Sequence, residues 1–258
     1  MKIIICGKGG SGKSTISTLT AKALRKRGFN VLLIDADESN IGLHRMIGVS
    51  EPINLMDNLG GKSGFKQKIN RPFSSASDKI FKNKMRIDEI SEDCIKQIDG
   101  VKLIAIGKIH DPGEGCACPM GMLSKMILSR LVLGNNDIII IDSAAGIEHF
   151  GRGIDIECDL MLFIVDPVFE SFMLGKKMLS MADKAKKDFF FILNKVDGDV
   201  IDVMTAGIDQ KRVVAKIPKN GSIFLSSLEG KKITANIPEI DTICSLIEKK
   251  KQEYSQKA

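Results

Sequence analysis

Three groups of residues in this chain are placed to do chemistry. The first is Gly7-Lys8-Gly9-Gly10-Ser11-Gly12-Lys13-Ser14-Thr15. It satisfies G-x-x-x-x-G-K-[ST], a loop whose backbone N–H groups cradle phosphate oxygens. Glycine lets those N–H groups approach an anion without a Cβ in the way. Gly9, Gly10, Ser11, Gly12 and Thr15 would line the phosphates. In the same pattern Lys13 reaches the β- and γ-phosphates, and the Ser14 hydroxyl ligates Mg²⁺. The second group is acidic: Asp35 and Asp37 follow one apolar run, and Asp142 ends another. A carboxylate at the end of such a strand is the form that binds a Mg²⁺-bound water, a role that falls to Asp142. The third group is Cys116 and Cys118, on a stretch bounded by Gly113, Gly115 and Pro119.

The elements that must hold these groups can be read from hydrophobic pattern. Ile3–Cys6, Val31–Ile34, Val101–Ile106, Ile138–Ile141, Leu160–Val165, Phe189–Leu193 and Val213–Ile217 are short, predominantly apolar runs, interrupted by a charge at Lys102 and Lys216 alone. Such runs are the mark of parallel strands covered on both faces. Helical spacing follows the glycine loop (Ile16, Leu19, Ala23, Leu24) and recurs over Met120–Leu133 and Glu170–Lys187. Strand–loop–helix alternation predicts an α/β, doubly wound, mainly parallel sheet. Its chemistry is then expected at the C-terminal ends of the strands. The methionines of 120–133 read as core filler.

Composition sets limits. With 258 residues and 43% apolar content, the chain fits a single nucleotide-binding domain over 1–258. Residues from about 50 to 100 carry Lys62, Lys66, Lys68, Arg71, Lys79, Lys82, Lys84 and Arg86, opposed mainly by Asp78 and Asp88. Gly60-Gly61 and Ser74-Ser75 interrupt its periodicity. It reads as a basic, variable, solvated insertion, or as a docking surface for an acidic partner. No run is long enough to cross a membrane, and the strand at the N-terminus leaves no signal peptide, so a cytoplasmic location is expected. A net charge of +6 does not call for nucleic acid. The tail places Ile240, Ile243, Leu246 and Ile247 on one helical face, followed by Lys249-Lys250-Lys251. This reads as a helix packed on the domain and not as a stable membrane anchor.

Six cysteines in such a chain do not form a disulfide framework. Cys6, Cys94, Cys158 and Cys244 are scattered and read as small buried hydrophobes. Two thiols at i and i+2 can point to one side, but two thiolates do not complete a metal shell. A twofold dimer would supply the pair twice and give four sulfurs around one ion. Spacing alone leaves open a metal site, two structural cysteines, a redox pair or half of an Fe–S site. His110 and His149 have no partner at ligand spacing and read as non-ligands.

The early lysine in Gly7-Lys8-Gly9-Gly10-Ser11-Gly12-Lys13-Ser14 resembles the deviant P-loop of the MinD, ParA and nitrogenase-iron-protein group of dimeric nucleotide switches. That resemblance implies that Lys8 crosses a homodimer interface to the partner's nucleotide. It makes Asp35 to Asn40 the first switch segment, with Asp37 positioning the attacking water and Asp35 in the Mg²⁺ and water shell. Ser143-Ala144-Ala145-Gly146 resembles the second switch, where Gly146 would donate its N–H to the γ-phosphate. Asn194-Lys195-Val196-Asp197 resembles the base-reading motif of GTPases, and related ATPases also carry Asn-Lys there, so the base is not chosen. Ile217-Pro218 matches the place where the backbone closes over adenine.

Asp111-Pro112-Gly113-Glu114-Gly115-Cys116-Ala117-Cys118-Pro119 and Ala145-Gly146-Ile147-Glu148-His149-Phe150-Gly151-Arg152-Gly153 look like the CooC-type nickel-insertion ATPases. These serve maturation of carbon monoxide dehydrogenase. The resemblance implies ATP-driven dimerisation, ATP/ADP and Mg²⁺ as cofactors, and Ni²⁺ at the paired Cys116 and Cys118, with Zn²⁺ as competitor. It also implies delivery to an apo-metalloenzyme client. Two departures stand out. The first switch lacks the proline common after its aspartate, and the second switch lacks the cysteines that hold the cluster of the nitrogenase iron protein. The rival functions are a MinD/ParA-like positioning ATPase and an Fe–S carrier or redox ATPase.

Overall fold

Isoleucine-rich strands without alternation need cover on both sides, and the fold supplies it. The computed structural model describes residues 1–70, 84–110, 116–146, 153–198 and 200–256. Eight strands form one sheet in the order β3-β4-β2-β5-β1-β6-β7-β8. They are β1 (Lys2–Gly7), β2 (Asn30–Ala36), β3 (Lys96–Ile98), β4 (Val101–Ala105), β5 (Asp137–Ser143), β6 (Leu160–Val165), β7 (Asp188–Val196) and β8 (Val213–Pro218). All neighbours are parallel except β3 against β4. The mainly parallel, doubly wound α/β reading is therefore borne out.

Successive residues of one strand enter opposite cores. Ile4, Leu32, Ile34, Ile104, Ile139, Ile141 and Phe163 pack on one face with Phe65, Leu123 and Met178. Ile3, Ile5, Leu33, Leu103, Ile138, Ile140 and Leu162 pack on the other with Ile16, Leu24, Ile243 and Ile247. Burying each such side chain contributes about 1.5–3 kcal/mol, so the sheet interior dominates the stability of the fold. Helices α1 (Lys13–Lys26) and α9 (Glu239–Ser255) cover the second face; α5 (Cys118–Arg130) and α6 (Phe169–Lys184) cover the first. The remaining helices are α2 (Leu43–Ile47), α3 (Leu55–Asn58), α4 (Gly61–Asn70), α7 (Val200–Ala206) and α8 (Gly221–Leu228).

The tail helix is docked, as its pattern predicts. Ile240, Ile243 and Ile247 of α9 are buried. Lys251 Nζ donates to the Asp137 carbonyl at 3.0 Å and the Tyr254 hydroxyl to that of Asp159 at 2.8 Å. No helix among the described residues is long and apolar enough to cross a membrane.

The solvated reading of residues 50–100 is corrected for the residues described there. Leu55, Met56, Leu59, Phe65, Met85, Ile87, Ile90 and Cys94 are buried in the core beside β4 and α5. Their lysines and arginine lie between apolar anchors: Lys66 and Arg86 are exposed on either side of buried Phe65 and Ile87. Arg71, Lys79, Lys82, Asp78 and Ser74-Ser75 lie outside the described residues. So do Asp111–Gly115 and Ile147–Arg152, including His149.

Candidate functional site

The phosphate loop leaves the end of β1 and turns directly into α1, so the positive end of a fourteen-residue helix faces whatever the loop holds. Gly12 has φ +101°, and a Cβ there would run into the Asn194 amide, so the position needs glycine. The loop is tied from outside by the end of β7. Asn194 Nδ2 donates to the Ser11 carbonyl at 2.7 Å, and Lys195 Nζ to that of Gly10 at 2.6 Å. The Asn-Lys pair thus clamps the loop. Asn194 and Lys195 also line a cavity of about 570 Å³ with Gly12, Thr15, Ile217 and Pro218. Phe224 of α8 lines the same cavity and is largely exposed, a ring of the kind on which a base can stack. Sequence reasoning missed Phe224, because nothing in its local pattern separates it from a core residue.

Lys13 is buried and donates to the Lys8 carbonyl at 3.2 Å. The Lys8 side chain is half-buried and makes no ion pair among the described residues. Gly9 and Gly10 are exposed at the mouth of the loop. Gly146 donates to the Gly7 carbonyl at 3.4 Å, which sets the start of the second switch segment against the base of the loop.

Asp142 sits at the centre, with no exposed surface. Its Oδ2 accepts from Ser14 Oγ at 2.6 Å and from Asn40 Nδ2 at 3.4 Å; its Oδ1 accepts from Ser17 Oγ at 3.1 Å. Asn40 Nδ2 also donates to Ser14 Oγ at 2.8 Å. Neither Asn40 nor Ser17 was singled out from sequence. Ser17 had a readable signal, since it lies one helical turn from Ser14 on the same face of α1. The hydroxyl and carboxylate oxygens of Ser14 and Asp142 are hard donors of the type that suits Mg²⁺. That ion would supply charge neutralisation beside the phosphates.

Burial raises the Asp142 carboxyl to about 6, against the opposing pull of the Ser14 hydroxyl and the Lys13 ammonium. A carboxyl whose folded-state pKa lies above its unfolded value adds stability at low pH and loses it as pH rises through the folded value. Between pH 5 and pH 7 the loss is about 1 kcal/mol, or about 2–4 °C in midpoint for a chain of this size. Thermal unfolding without nucleotide or magnesium checks this. The wild-type midpoint should fall further over that interval than that of Asp142→Asn; parallel curves would contradict it.

Asp35 is held differently. Its Oδ2 accepts from Lys108 Nζ at 2.7 Å, and both side chains are about 7% exposed. Burial raises the Asp35 carboxyl to about 7, with the Lys108 ammonium working in the opposite direction. Lys108 Nζ also donates to the Asp37 carbonyl at 2.7 Å. Asp37 Oδ1 accepts from Ser39 N at 3.0 Å and Ser39 Oγ at 2.6 Å, which fixes the carboxylate plane at the switch turn. Lys108, just past β4, was not read from sequence as a site residue; it lies 73 positions from Asp35.

Cys116 and Cys118 are both exposed, and their sulfurs are joined in a disulfide with Cα atoms 5.3 Å apart. The two therefore point to one side, at the N-terminus of α5. Once reduced they present two soft donors, the class that suits nickel and zinc. Among the described residues no group of three or more His, Cys, Asp or Glu could complete a metal shell. His110 Nε2 faces Asp57 at 3.4 Å. Cys6, Cys94, Cys158 and Cys244 are buried, and burial pushes the Cys6 and Cys244 thiols up to about 12 and that of Cys158 higher still.

A phosphate loop at the end of β1, an acid at the end of the adjacent β5 and a base-sized cavity at the end of β7 define a P-loop nucleotide-binding enzyme of the ATPase class. Comparison with known proteins agrees. Residues 2–233 match the CobQ/CobB/MinD/ParA nucleotide binding domain, and the chain belongs to that family. The ATP-binding protein MJ0084 of Methanocaldococcus jannaschii is 42% identical over 96% of this chain and 100% of its own length. The carbon monoxide dehydrogenase accessory protein CooC of Rhodospirillum rubrum is 31% identical, covering 89% of this chain and 88% of that protein. Among solved structures, the septum site-determining protein MinD of Pyrococcus horikoshii, complexed with Mg-ADP, superposes with a TM-score of 0.64. It is 21% identical, over 90% of this chain and 86% of that one, and supports the fold alone.

Proposed function

We propose that this chain is a Mg-ATP-dependent switch that binds nickel between two copies of itself and delivers it to an apo-metalloenzyme of the carbon monoxide dehydrogenase class. Residues 1–258 act as one nucleotide-switch unit in the cytoplasm, where a reducing environment keeps the thiols free. Membrane and nucleic acid have no part in this reading. The observation that carries it is the placement of Cys116 and Cys118: exposed, side by side, at the head of α5. Two soft donors are half a shell, and a twofold axis supplies the rest. Similarity to the carbon monoxide dehydrogenase accessory protein supports the client class.

In the mechanism, Gly9 to Thr15 and Lys13 hold the triphosphate, and Ser14 with Asp142 would hold Mg²⁺. Asp35, held in place by Lys108, would stand in the water shell of that ion. Asp37 orients the water that attacks the γ-phosphate, and Gly146 donates to the same phosphate group. Asn194, Lys195 and Pro218 enclose the base. Lys8 reaches the nucleotide of the second copy, so ATP draws the copies together and its hydrolysis releases both switches. The nickel ion is cargo, taken up by the four sulfurs and passed on; zinc competes for them.

Light scattering tests the dimer. Wild-type protein with magnesium and a slowly hydrolysed ATP analogue should run at twice the monomer mass, and Lys8→Ala should remain at the monomer mass while still binding nucleotide. Dimerisation unaffected by Lys8→Ala would remove the cross-interface role.

A further inference from the structure

Four contacts run from the first switch toward the cysteine helix. Ile106 N donates to the Asp35 carbonyl at 2.9 Å, and Ile109 N to that of Glu38 at 3.2 Å, so 106–109 continues beside 35–38 past the ends of β4 and β2. Between these bonds Lys108 Nζ bridges the Asp35 carboxylate and the Asp37 carbonyl, at 2.7 Å each. Immediately before it, Gly107 is packed on Met120. A Cβ at Gly107 would lie 3.1 Å from Met120 Cγ and 3.0 Å from Met56 Cβ. Met120 is 3% exposed and stands in the first turn of α5, two residues after Cys118.

A buried lysine costs desolvation unless it is paired. Among the described residues, the partners of this one are switch atoms. Its backbone neighbour is wedged under the helix that begins at Cys118, where close packing transmits small shifts instead of absorbing them. We propose that Lys108 is a positioning residue that makes the exposure of the Cys116 and Cys118 thiols depend on which nucleotide is bound. Movement of Asp35 and Asp37 carries Lys108 and Gly107 with it, and Gly107 moves Met120 and the start of α5. This inference rests on the nucleotide-switch reading above, but not on the identity of the metal.

The test measures the rate at which reduced, metal-free protein, kept dilute enough to stay monomeric with either nucleotide, reacts with an aromatic disulfide at one fixed pH. A protein thiolate attacks the probe's S–S bond and releases an aromatic thiolate. The four buried thiols are protected, so the fast phase reports Cys116 and Cys118. Wild-type rates with Mg-ADP and with a slowly hydrolysed ATP analogue should differ by about fivefold or more. In Lys108→Met, measured where it is folded and saturated with either nucleotide, the two rates should become equal. If Lys108→Met does not fold, Lys108→Gln removes the ammonium while keeping an amide donor toward the Asp35 carboxyl; its two rates should also be equal. A nucleotide-dependent difference that survives in either variant, or that is missing from the wild type, overturns the inference. Nickel titration of the same wild-type samples separates the two ideas. No binding defeats the metal-delivery function while leaving the rate comparison intact.

Discussion

Asp37→Asn is expected to lower the rate of ATP hydrolysis by about 10²–10⁴-fold, the usual range for loss of a positioned acid–base group. Asp37 Oδ1 is saturated by the amide and hydroxyl of Ser39, at 3.0 and 2.6 Å. Its backbone carbonyl is held by Lys108. The carboxylate plane is thus fixed, and Oδ2 is the oxygen left to orient a water. Asparagine keeps the size and can still accept through one oxygen, so the fold and nucleotide affinity should change little. Single-turnover hydrolysis beside a nucleotide-binding titration checks this. An Asp37→Asn protein that hydrolyses ATP at the wild-type rate would shift the role elsewhere in the switch. A protein that loses binding in parallel would show that Asp37 only shapes the loop.

The second large effect concerns metal. Replacing both Cys116 and Cys118 by alanine should weaken nickel binding by well over a hundredfold. Loss of groups that merely orient a ligand already costs about 10–100-fold. Here the donors themselves are removed from both copies. ATP binding should persist, because no atom of the phosphate loop or of Asp142 touches either cysteine in the hydrogen-bond network described. Nickel titration of reduced protein by the thiolate-to-metal absorption band measures the change. An intact band in the double variant would place the ion elsewhere.

The sheet could be read in advance because it is buried twice. Ile138 and Ile140 enter one core while Ile139 and Ile141 enter the other. An uninterrupted apolar run is the only pattern that satisfies both faces. The phosphate loop could be read because its residues are contiguous and their roles belong to the backbone as much as to side chains. Asp142 could be read because a carboxylate ending such a run has no core function. The partners of these groups could not. Asn40 reaches Ser14 across 26 positions because β2 and β1 flank β5, and Lys108 reaches Asp35 across 73 because β4 pairs in parallel with β2. A lone lysine just past a strand carries no sign in its local sequence that it will be buried. The anchors between 50 and 100 failed for a related reason. Leu55, Met56 and Phe65 lie on helices of four and ten residues and Leu59 on the turn between them, elements too short to display a hydrophobic period among charged neighbours.

Asn194 illustrates a third limit. Its motif suggests contact with a base, yet its amide donates to the Ser11 carbonyl. One side chain can both brace the loop and border the cavity, since a carboxamide has a donor end and an acceptor end. A motif names a place in the fold more reliably than it names the bond made there.

The most direct test of the account is native mass spectrometry of reduced, untagged protein with magnesium, a slowly hydrolysed ATP analogue and nickel. One nickel ion for every two chains is expected, with two nucleotides in the same particle and neither half-filled shells nor nickel-loaded monomers. A nickel-loaded monomer, or a nucleotide-bound dimer that takes no nickel at Cys116 and Cys118, would contradict it.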